Sequence, residues 1–136
     1  GFQVSTVAEA AEKGDLLILA FPDETAGDIY HREVAPHAKR GKALGFVHGF
    51  NIRFGFIAPP GEVDVIMVAP KGPGTLLRSL YLEGKGLPAL MAIHQNPSVN
   101  ARQTALAWAG GIGSLRAAAV MAAYLWWRHP ALHVEP

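Results

Sequence analysis

Four runs of apolar residues divide the chain, and they predict the strands of one sheet. The runs cover residues 16–21, 43–47, 63–69 and 87–93. They are nearly continuous rather than alternating, which is typical of parallel strands covered by helices on both faces. Residues 1–4 are a further strand candidate ahead of these four runs.

The segments between these runs have the composition of helices. Residues 24–38 carry acids in the first turn and are followed by basic residues, which suits the helix dipole. Residues 75–83 and 100–109 are further helix candidates, and a short segment, 7–13, precedes the first strong strand. Strands that alternate with helices indicate βαβ units. The pattern therefore predicts the α/β class, with a Rossmann-like, mostly parallel sheet and helices on both of its faces.

A cluster of polar residues follows each of the four predicted strands. The clusters are Pro22-Asp23-Glu24, His48-Gly49-Phe50-Asn51, Pro70-Lys71-Gly72-Pro73-Gly74 and His94-Gln95-Asn96. In a parallel sheet all four converge on one edge, which is where open α/β sheets bind ligands. Loops of such folds are often polar, so one cluster alone says little. Four together, with histidine and lysine among them, predict a ligand site.

His48 and Lys71 are the candidate catalytic residues. Imidazole can carry a proton near neutral pH, and Gly49 lets a substrate or a nicotinamide ring approach the backbone. The ammonium of Lys71 could stabilise negative charge on an oxygen during hydride transfer or an enolate-like step. Each residue also has a plain structural alternative: His48 as a cap of the strand or the next helix, and Lys71 as a solvated surface residue.

Asp23, Glu24 and Gly74 are candidate binding residues. Asp23 and Glu24 open a helix directly after a strand, so they either favour the helix dipole or belong to a loop that passes over a cofactor. Gly74 stands where a helix begins, and the exposed N–H groups there could face a phosphate or a ring.

Composition excludes several other classes of protein. The chain has 136 residues, of which half are hydrophobic and 17% are charged, so it predicts one globular domain with its own core. Its net charge of +1 provides no basic field for nucleic acid. Cysteine is absent, which excludes disulfides and thiolate metal sites. The longest apolar run, 117–127, is too short to cross a bilayer.

The sequence predicts neither a metal site nor a phosphate loop. Ten of the eleven acidic residues lie at or before Glu83, so the last third has no cluster of carboxylates for Mg²⁺. No G-x-G-x-x-G motif is present, and the glycines at 110, 111 and 113 follow a helix rather than a strand. No histidine is assigned as a metal ligand; this applies to His31, His37, His94, His129 and His133.

Residues 1–116 resemble the ketol-acid reductoisomerases. The match is carried by Phe21-Pro22-Asp23-Glu24, His48-Gly49-Phe50-Asn51-Ile52, Pro59-Pro60, the run from Val63 to Gly74, His94-Gln95 and Ile112-Gly113 with Arg116. The resemblance implies an N-terminal Rossmann domain that binds NADPH and a knotted helical C-terminal domain that holds two Mg²⁺ ions. It implies alkyl migration in 2-acetolactate or 2-aceto-2-hydroxybutyrate and reduction to 2,3-dihydroxy acids, in valine, leucine and isoleucine biosynthesis.

The resemblance also assigns residues. His48 matches the family's active-site histidine and Lys71 its active-site lysine. Asp23-Glu24-Thr25-Ala26 matches a loop that contacts the coenzyme, and Gly74 matches a glycine beside it. The family commonly has glutamine where Ala26 stands. The family's glycine loop would lie before Gly1, and its metal-binding helices would lie after Pro136.

The resemblance leads us to expect a fragment of a longer enzyme. Residues 1–116 would form a partial coenzyme-binding domain with a sheet incomplete at both ends, and residues 117–136 a divergent tail without the knotted domain. We expect a small 2-hydroxy-keto acid as substrate, homo-oligomers in the full-length family, no nucleic acid and no membrane. Family members work in the bacterial cytoplasm or in eukaryotic organelles. An inactive Rossmann remnant and another nicotinamide-dependent dehydrogenase are the alternatives.

Overall fold

The computed structural model describes residues 3–117 and the backbone of residues 119 and 120. The predicted divergent tail, 117–136, therefore lies almost entirely outside the described residues. The helices are α1 (Val7–Lys13), α2 (Asp23–Ile29), α3 (Phe50–Arg53), α4 (Gly74–Leu82) and α5 (Ala101–Gly111). The strands are β1 (Leu16–Leu19), β2 (Ala43–Phe46), β3 (Asp64–Pro70), β4 (Ala89–Gln95) and β5 (Ala119–Val120).

The five strands form one sheet in the order β1-β2-β3-β4-β5. β1, β2 and β3 are parallel, with Leu19 opposite Phe46 and Phe46 opposite Met67. β4 is antiparallel to β3, and β5 is parallel to β4. The predicted α/β class with a mostly parallel, Rossmann-like sheet is confirmed. The prediction that all four main strands share one direction is wrong for β4, because a continuous apolar run indicates burial on both faces and not strand direction.

Both faces of the sheet are covered by helices, as predicted. Successive side chains of β3 point to opposite faces. Val65 and Met67 pack in a core that includes residues of α1, α2 and the turn after α2, whereas Ile66 and Val68 pack against α5. On the α5 side, Trp108 lies over Gly45 so closely that a Cβ at Gly45 would be 2.9 Å from the indole ring. Glycine at this position therefore sets how near α5 approaches the sheet.

The helix predicted over residues 24–38 is present but irregular. After α2 the chain continues as a π-helical turn at Tyr30–Val34 and a 3-10 turn at Ala35–His37. Tyr30 and Val34 are buried in the core, and the wider turn places both side chains there. The Tyr30 hydroxyl is buried without a hydrogen-bond partner in the described structure. None of the helices in the described part of the chain is long and apolar enough to span a membrane.

Lys42 connects α1 to the start of β2. Its ammonium donates to the carbonyl oxygens of Ala11 at 2.9 Å, Glu12 at 2.8 Å and Gly14 at 2.5 Å. These carbonyls lie at the C-terminal end of α1, where the helix leaves acceptors without intrahelical partners and where a cation is favoured by the dipole. One side chain thus closes the end of α1 and holds it beside the sheet.

β1 is an edge strand, and an apolar groove of about 340 Å³ runs along it. The groove is formed by β1 together with α1 and the residues before it. Ile18 of β1 is 45% exposed. An edge strand with apolar neighbours offers unpaired backbone groups to any further strand. Gln3 and Val4, half of the segment predicted as an extra strand, are in no strand, and residues 1 and 2 lie outside the described part.

Lys42→Met should lower the free energy of unfolding by about 1–3 kcal/mol, because charged hydrogen bonds to three carbonyls are lost. Urea denaturation measures the change. Lys39→Met is the matched control, since Lys39 is exposed and nearby in sequence. Equal stability of the two variants would contradict the role given to Lys42.

Tyr30→Phe should leave the free energy of unfolding unchanged or raise it by about 1 kcal/mol, because the buried hydroxyl makes no bond that compensates its desolvation.

Burial also raises the pKa of Tyr30 above its ordinary value. The unfolded chain therefore releases this proton first, and the wild type should lose stability as the pH rises through about 10. Urea denaturation at neutral and alkaline pH should show a smaller loss in Tyr30→Phe than in the wild type. An equal loss in both would contradict the assignment.

Candidate functional site at the carboxyl edge of the sheet

Three of the predicted polar clusters lie at one edge of the sheet. β1, β2 and β3 are parallel, so their carboxyl ends share that edge. β1 leads to Asp23, β2 to His48 and β3 to Lys71. The side chains of Asp23 and His48 are in contact, with His48 Nδ1 3.4 Å from Asp23 Oδ2. The structure thus brings the side chains of Asp23 and His48, from two strand ends, into contact. It places a third predicted site residue, Lys71, at the same edge of the sheet.

The fourth cluster lies at the opposite edge of the sheet, where β1, β2 and β3 begin. This corrects the prediction that all four clusters converge at the carboxyl ends of the strands. β4 runs antiparallel, so His94, Gln95 and Asn96 lie beside the beginning of β3. Gln95 Nε2 donates to the carbonyls of Pro60 at 2.8 Å and Val63 at 3.2 Å. Asn96 Oδ1 accepts from the backbone N–H of Ala101, the first residue of α5. Gln95 and Asn96 fix loops and a helix end, so their role is structural.

The loop predicted to contact a coenzyme forms the first turn of α2. Asp23, Glu24 and Thr25 are exposed there, and the acids suit the positive end of the helix dipole. Thr25 Oγ1 donates to the Pro22 carbonyl at 3.3 Å. Ala26 is buried in the core. A coenzyme contact at position 26 could therefore involve little more than the backbone.

His48 lies just beyond β2, at the start of a tight turn into α3. Its side chain is 66% exposed, so a substrate could reach it. The ring stacks on Phe50 with centroids 6.4 Å apart, and the Phe50 N–H points to His48 Nδ1 at 3.4 Å. Both Phe50 and Asp23 therefore contact the same side of the imidazole.

Asn51 is a site residue for which the sequence analysis predicts no individual role. It belongs to α3, is only 4% exposed, and donates from Nδ2 to Asp23 Oδ1 at 3.0 Å. Its Oδ1 is buried with no hydrogen-bond partner in the described structure. The sequence places Asn51 three residues after His48, but that spacing does not reveal that the amide is buried or that it reaches the end of β1.

Lys71 and Gly74 lie in a loop that leads into an uncapped helix. Lys71 is exposed, and its backbone N–H donates to the Pro88 carbonyl at 2.8 Å, which holds the loop to the segment before β4. α4 begins at Gly74, and no side chain caps it. The first N–H groups of such a helix have no intrahelical partners and favour negatively charged groups. No atom would lie within 4 Å of a Cβ at Gly74, so the surface there is open.

Two concave surfaces flank these residues. A groove of about 650 Å³ lies between α2 and α3, lined by Asp23, Glu24, Gly27, Asp28, His31, Phe50, Asn51, Gly55 and Phe56. The Phe50 ring packs against the rings of Phe54 and Phe56, and all three residues are exposed. A smaller cavity of about 330 Å³ lies along α4, where Arg78 and Arg116 contact the Tyr81 ring. Apolar concave surfaces with a few polar groups are typical of ligand sites.

The described residues fit part of a nicotinamide dinucleotide and do not fit a metal ion. The open start of α4 and the exposed His48 and Lys71 suit the reactive end of such a coenzyme, whereas the 136 residues hold no G-x-G-x-x-G loop for its pyrophosphate. Within residues 3–117 there is no group of three His, Asp or Glu side chains that could hold a metal. His129 and His133 lie outside the described residues.

The sheet order, the helices on both faces and the polar carboxyl edge define a nucleotide-binding domain of the Rossmann type. Residues 1–118 match the family model of the acetohydroxy acid isomeroreductase NADPH-binding domain. The chain therefore belongs to the ketol-acid reductoisomerase family, as the sequence predicted, and the family is one of oxidoreductases that bind a nicotinamide coenzyme.

One solved structure agrees with the family assignment, and a second shares the fold. An NADH-preferring ketol-acid reductoisomerase from an uncultured archean is 51% identical, with a TM-score of 0.87 over 88% of this chain and 36% of that one. The chain thus spans about a third of that enzyme's length. A semialdehyde dehydrogenase NAD-binding protein from Cupriavidus necator, solved with calcium and NAD, is 20% identical with a TM-score of 0.66, over 83% of this chain and 44% of that one. The second likeness shows the fold alone.

Proposed function

We propose that this chain provides the part of a ketol-acid reductoisomerase that faces the nicotinamide and the substrate. The reaction is alkyl migration in 2-acetolactate or 2-aceto-2-hydroxybutyrate followed by reduction to a 2,3-dihydroxy acid, as in valine, leucine and isoleucine biosynthesis. The observation that carries the proposal is the contact between His48 and Asp23 at the sheet edge that also holds Lys71 and Gly74. Because the chain belongs to the ketol-acid reductoisomerase family, we assign the family's reaction to the residues at this edge.

Each residue of the edge has a distinct part in this proposal. A bound nicotinamide coenzyme supplies hydride. His48 is exposed and can take or return a proton at a substrate oxygen. Lys71 offers a positive charge for an oxygen that becomes negative. The N–H groups at the start of α4 and the open surface at Gly74 accommodate the coenzyme or the substrate closely.

Magnesium is part of the proposed reaction but has no site in residues 3–117. Alkyl migration needs a Lewis acid on the ketol oxygens. In a protein of the length of the archaeal relative, the metal ligands would come from the two thirds that this chain does not match. We therefore assign no step of the metal chemistry to the described residues.

His48→Gln and Lys71→Met should each weaken binding of reduced coenzyme to the purified chain by roughly tenfold, because both exposed side chains also line the place proposed for the nicotinamide end, beside the start of α4, and one lost polar contact there is worth about 1.4 kcal/mol. Calorimetry measures the affinity. His94→Gln and Lys39→Met are the matched controls and should bind as the wild type does, because His94 lies at the opposite edge and Lys39 lies outside the site.

Both NADPH and NADH should be titrated in this experiment, because the family model is that of an NADPH-binding domain while the archaeal relative prefers NADH. The relative affinities then identify the coenzyme. If neither coenzyme binds to a folded chain, the coenzyme role proposed for these residues is refuted. If His48→Gln and Lys71→Met bind as the controls do, the coenzyme does not contact this edge of the sheet.

The chain alone should bind coenzyme without turning over 2-acetolactate, because no metal site is present in residues 3–117. The absorbance of reduced coenzyme, followed with 2-acetolactate and Mg²⁺, should stay constant. Steady, enzyme-dependent oxidation that His48→Gln abolishes would contradict this prediction and would require metal ligands outside the described residues.

A further inference from the structure

The Asp23 carboxylate has a different partner at each oxygen. Asn51 Nδ2 donates to Oδ1 at 3.0 Å, and His48 Nδ1 lies 3.4 Å from Oδ2. Asp23 follows β1, whereas His48 and Asn51 both follow β2. One carboxylate therefore links the ends of two neighbouring strands, and it does so through the histidine that the proposed reaction uses.

The buried member of this set is Asn51. It is 4% exposed and sits in α3, so its side chain is already ordered before any ligand binds. An amide nitrogen can only donate, which means that Asn51 must meet an acceptor at Asp23. Its bond occupies Oδ1 and orients the carboxylate, and Oδ2 is then the oxygen that faces His48. Asn51 thus acts on His48 through Asp23.

We propose that Asp23, held by Asn51, is a positioning residue that fixes the ring orientation and the tautomer of His48. A carboxylate accepts hydrogen bonds and cannot donate them, so it selects the neutral imidazole that carries its proton on Nδ1. Nε2 is then the unprotonated nitrogen, free to accept a proton from a substrate hydroxyl. Only the proton transfer at Nε2 rests on the proposed function. The tautomer of His48 does not depend on that function and can be measured in the chain itself.

The Phe50 N–H favours the opposite tautomer, because a backbone donor at 3.4 Å from Nδ1 needs a lone pair there. Asp23 should dominate, although its contact with Nδ1 is an ion-pair contact at 3.4 Å and not a formed hydrogen bond, because the full charge of an ionised carboxylate attracts a proton on Nδ1 more strongly than the neutral N–H of Phe50 repels one. The balance between these two neighbours of Nδ1 makes the tautomer a sensitive measure of what Asp23 does.

The experiment is NMR of the whole chain labelled with ¹⁵N at histidine, with the pH raised until the ¹⁵N shifts stop changing and show that the ring is neutral. The ¹⁵N shifts of His48 give the ratio of Nδ1–H to Nε2–H forms, with His48→Gln assigning the signals. The wild type should be mainly Nδ1–H. Asp23→Asn keeps the shape but presents an amide donor to Nδ1, so the ratio should fall at least about tenfold.

Two further variants separate positioning from a general change in the fold. Asp28→Asn removes a carboxylate from the same helix and the same groove, and it should leave the ratio as in the wild type. Asn51→Ser keeps Asp23 but removes its anchor, so the ratio should fall part of the way. Amide spectra identify which variants are folded, and only folded samples are compared.

A His48 that is mainly Nε2–H in the wild type, or a ratio that Asp23→Asn leaves unchanged, would overturn the proposal. Coenzyme titration of the same samples distinguishes failure of the positioning proposal from failure of the proposed function. An Nδ1–H tautomer that depends on Asp23, in a chain that binds no coenzyme, supports positioning and refutes the coenzyme role. Coenzyme binding with a tautomer independent of Asp23 refutes positioning alone.

Discussion

The packing of β3 between two strands of opposite direction is the constraint on which the rest of the structure depends. The first five residues of β3 are buried, and its alternate side chains enter the cores on the two faces of the sheet. Parallel pairing with β2 sets the edge where His48 and Lys71 lie. Antiparallel pairing with β4 sends the next polar cluster to the other edge. Strand direction therefore decides which residues can act together.

Different interactions hold the backbone of the site and orient its side chains. The backbone at the ends of β1 and β2 is fixed by strand pairing and by two cores, neither of which involves the polar residues. The side chains of His48 and Asp23 are largely exposed, and their orientation comes instead from the buried amide of Asn51 and from ring packing on Phe50. The paired strands and their cores thus hold the backbone, while His48 and Asp23 are oriented by their immediate neighbours. This arrangement suits a site that must admit a large ligand.

The sequence was sufficient for the parts of the fold that hydrophobic pattern controls. The four main strands, the helices α1, α2, α4 and α5 and the placement of His48 and Lys71 after buried strands all follow from that pattern, whereas the one-turn helix α3 was not predicted. The direction of β4 does not, since the pattern of a doubly buried strand is the same either way. The π-helical turn at Tyr30 comes from packing of Tyr30 and Val34 into the core. The bond from Asn51 to Asp23 joins residues 28 apart in sequence, a contact that only the folded chain reveals.

β1 has an unpaired edge in the described sheet, and its carboxyl end leads to the site. An edge strand beside an apolar groove is a surface on which strands of other molecules can assemble. A strand that adds to this edge would therefore lie beside the segment that carries Asp23.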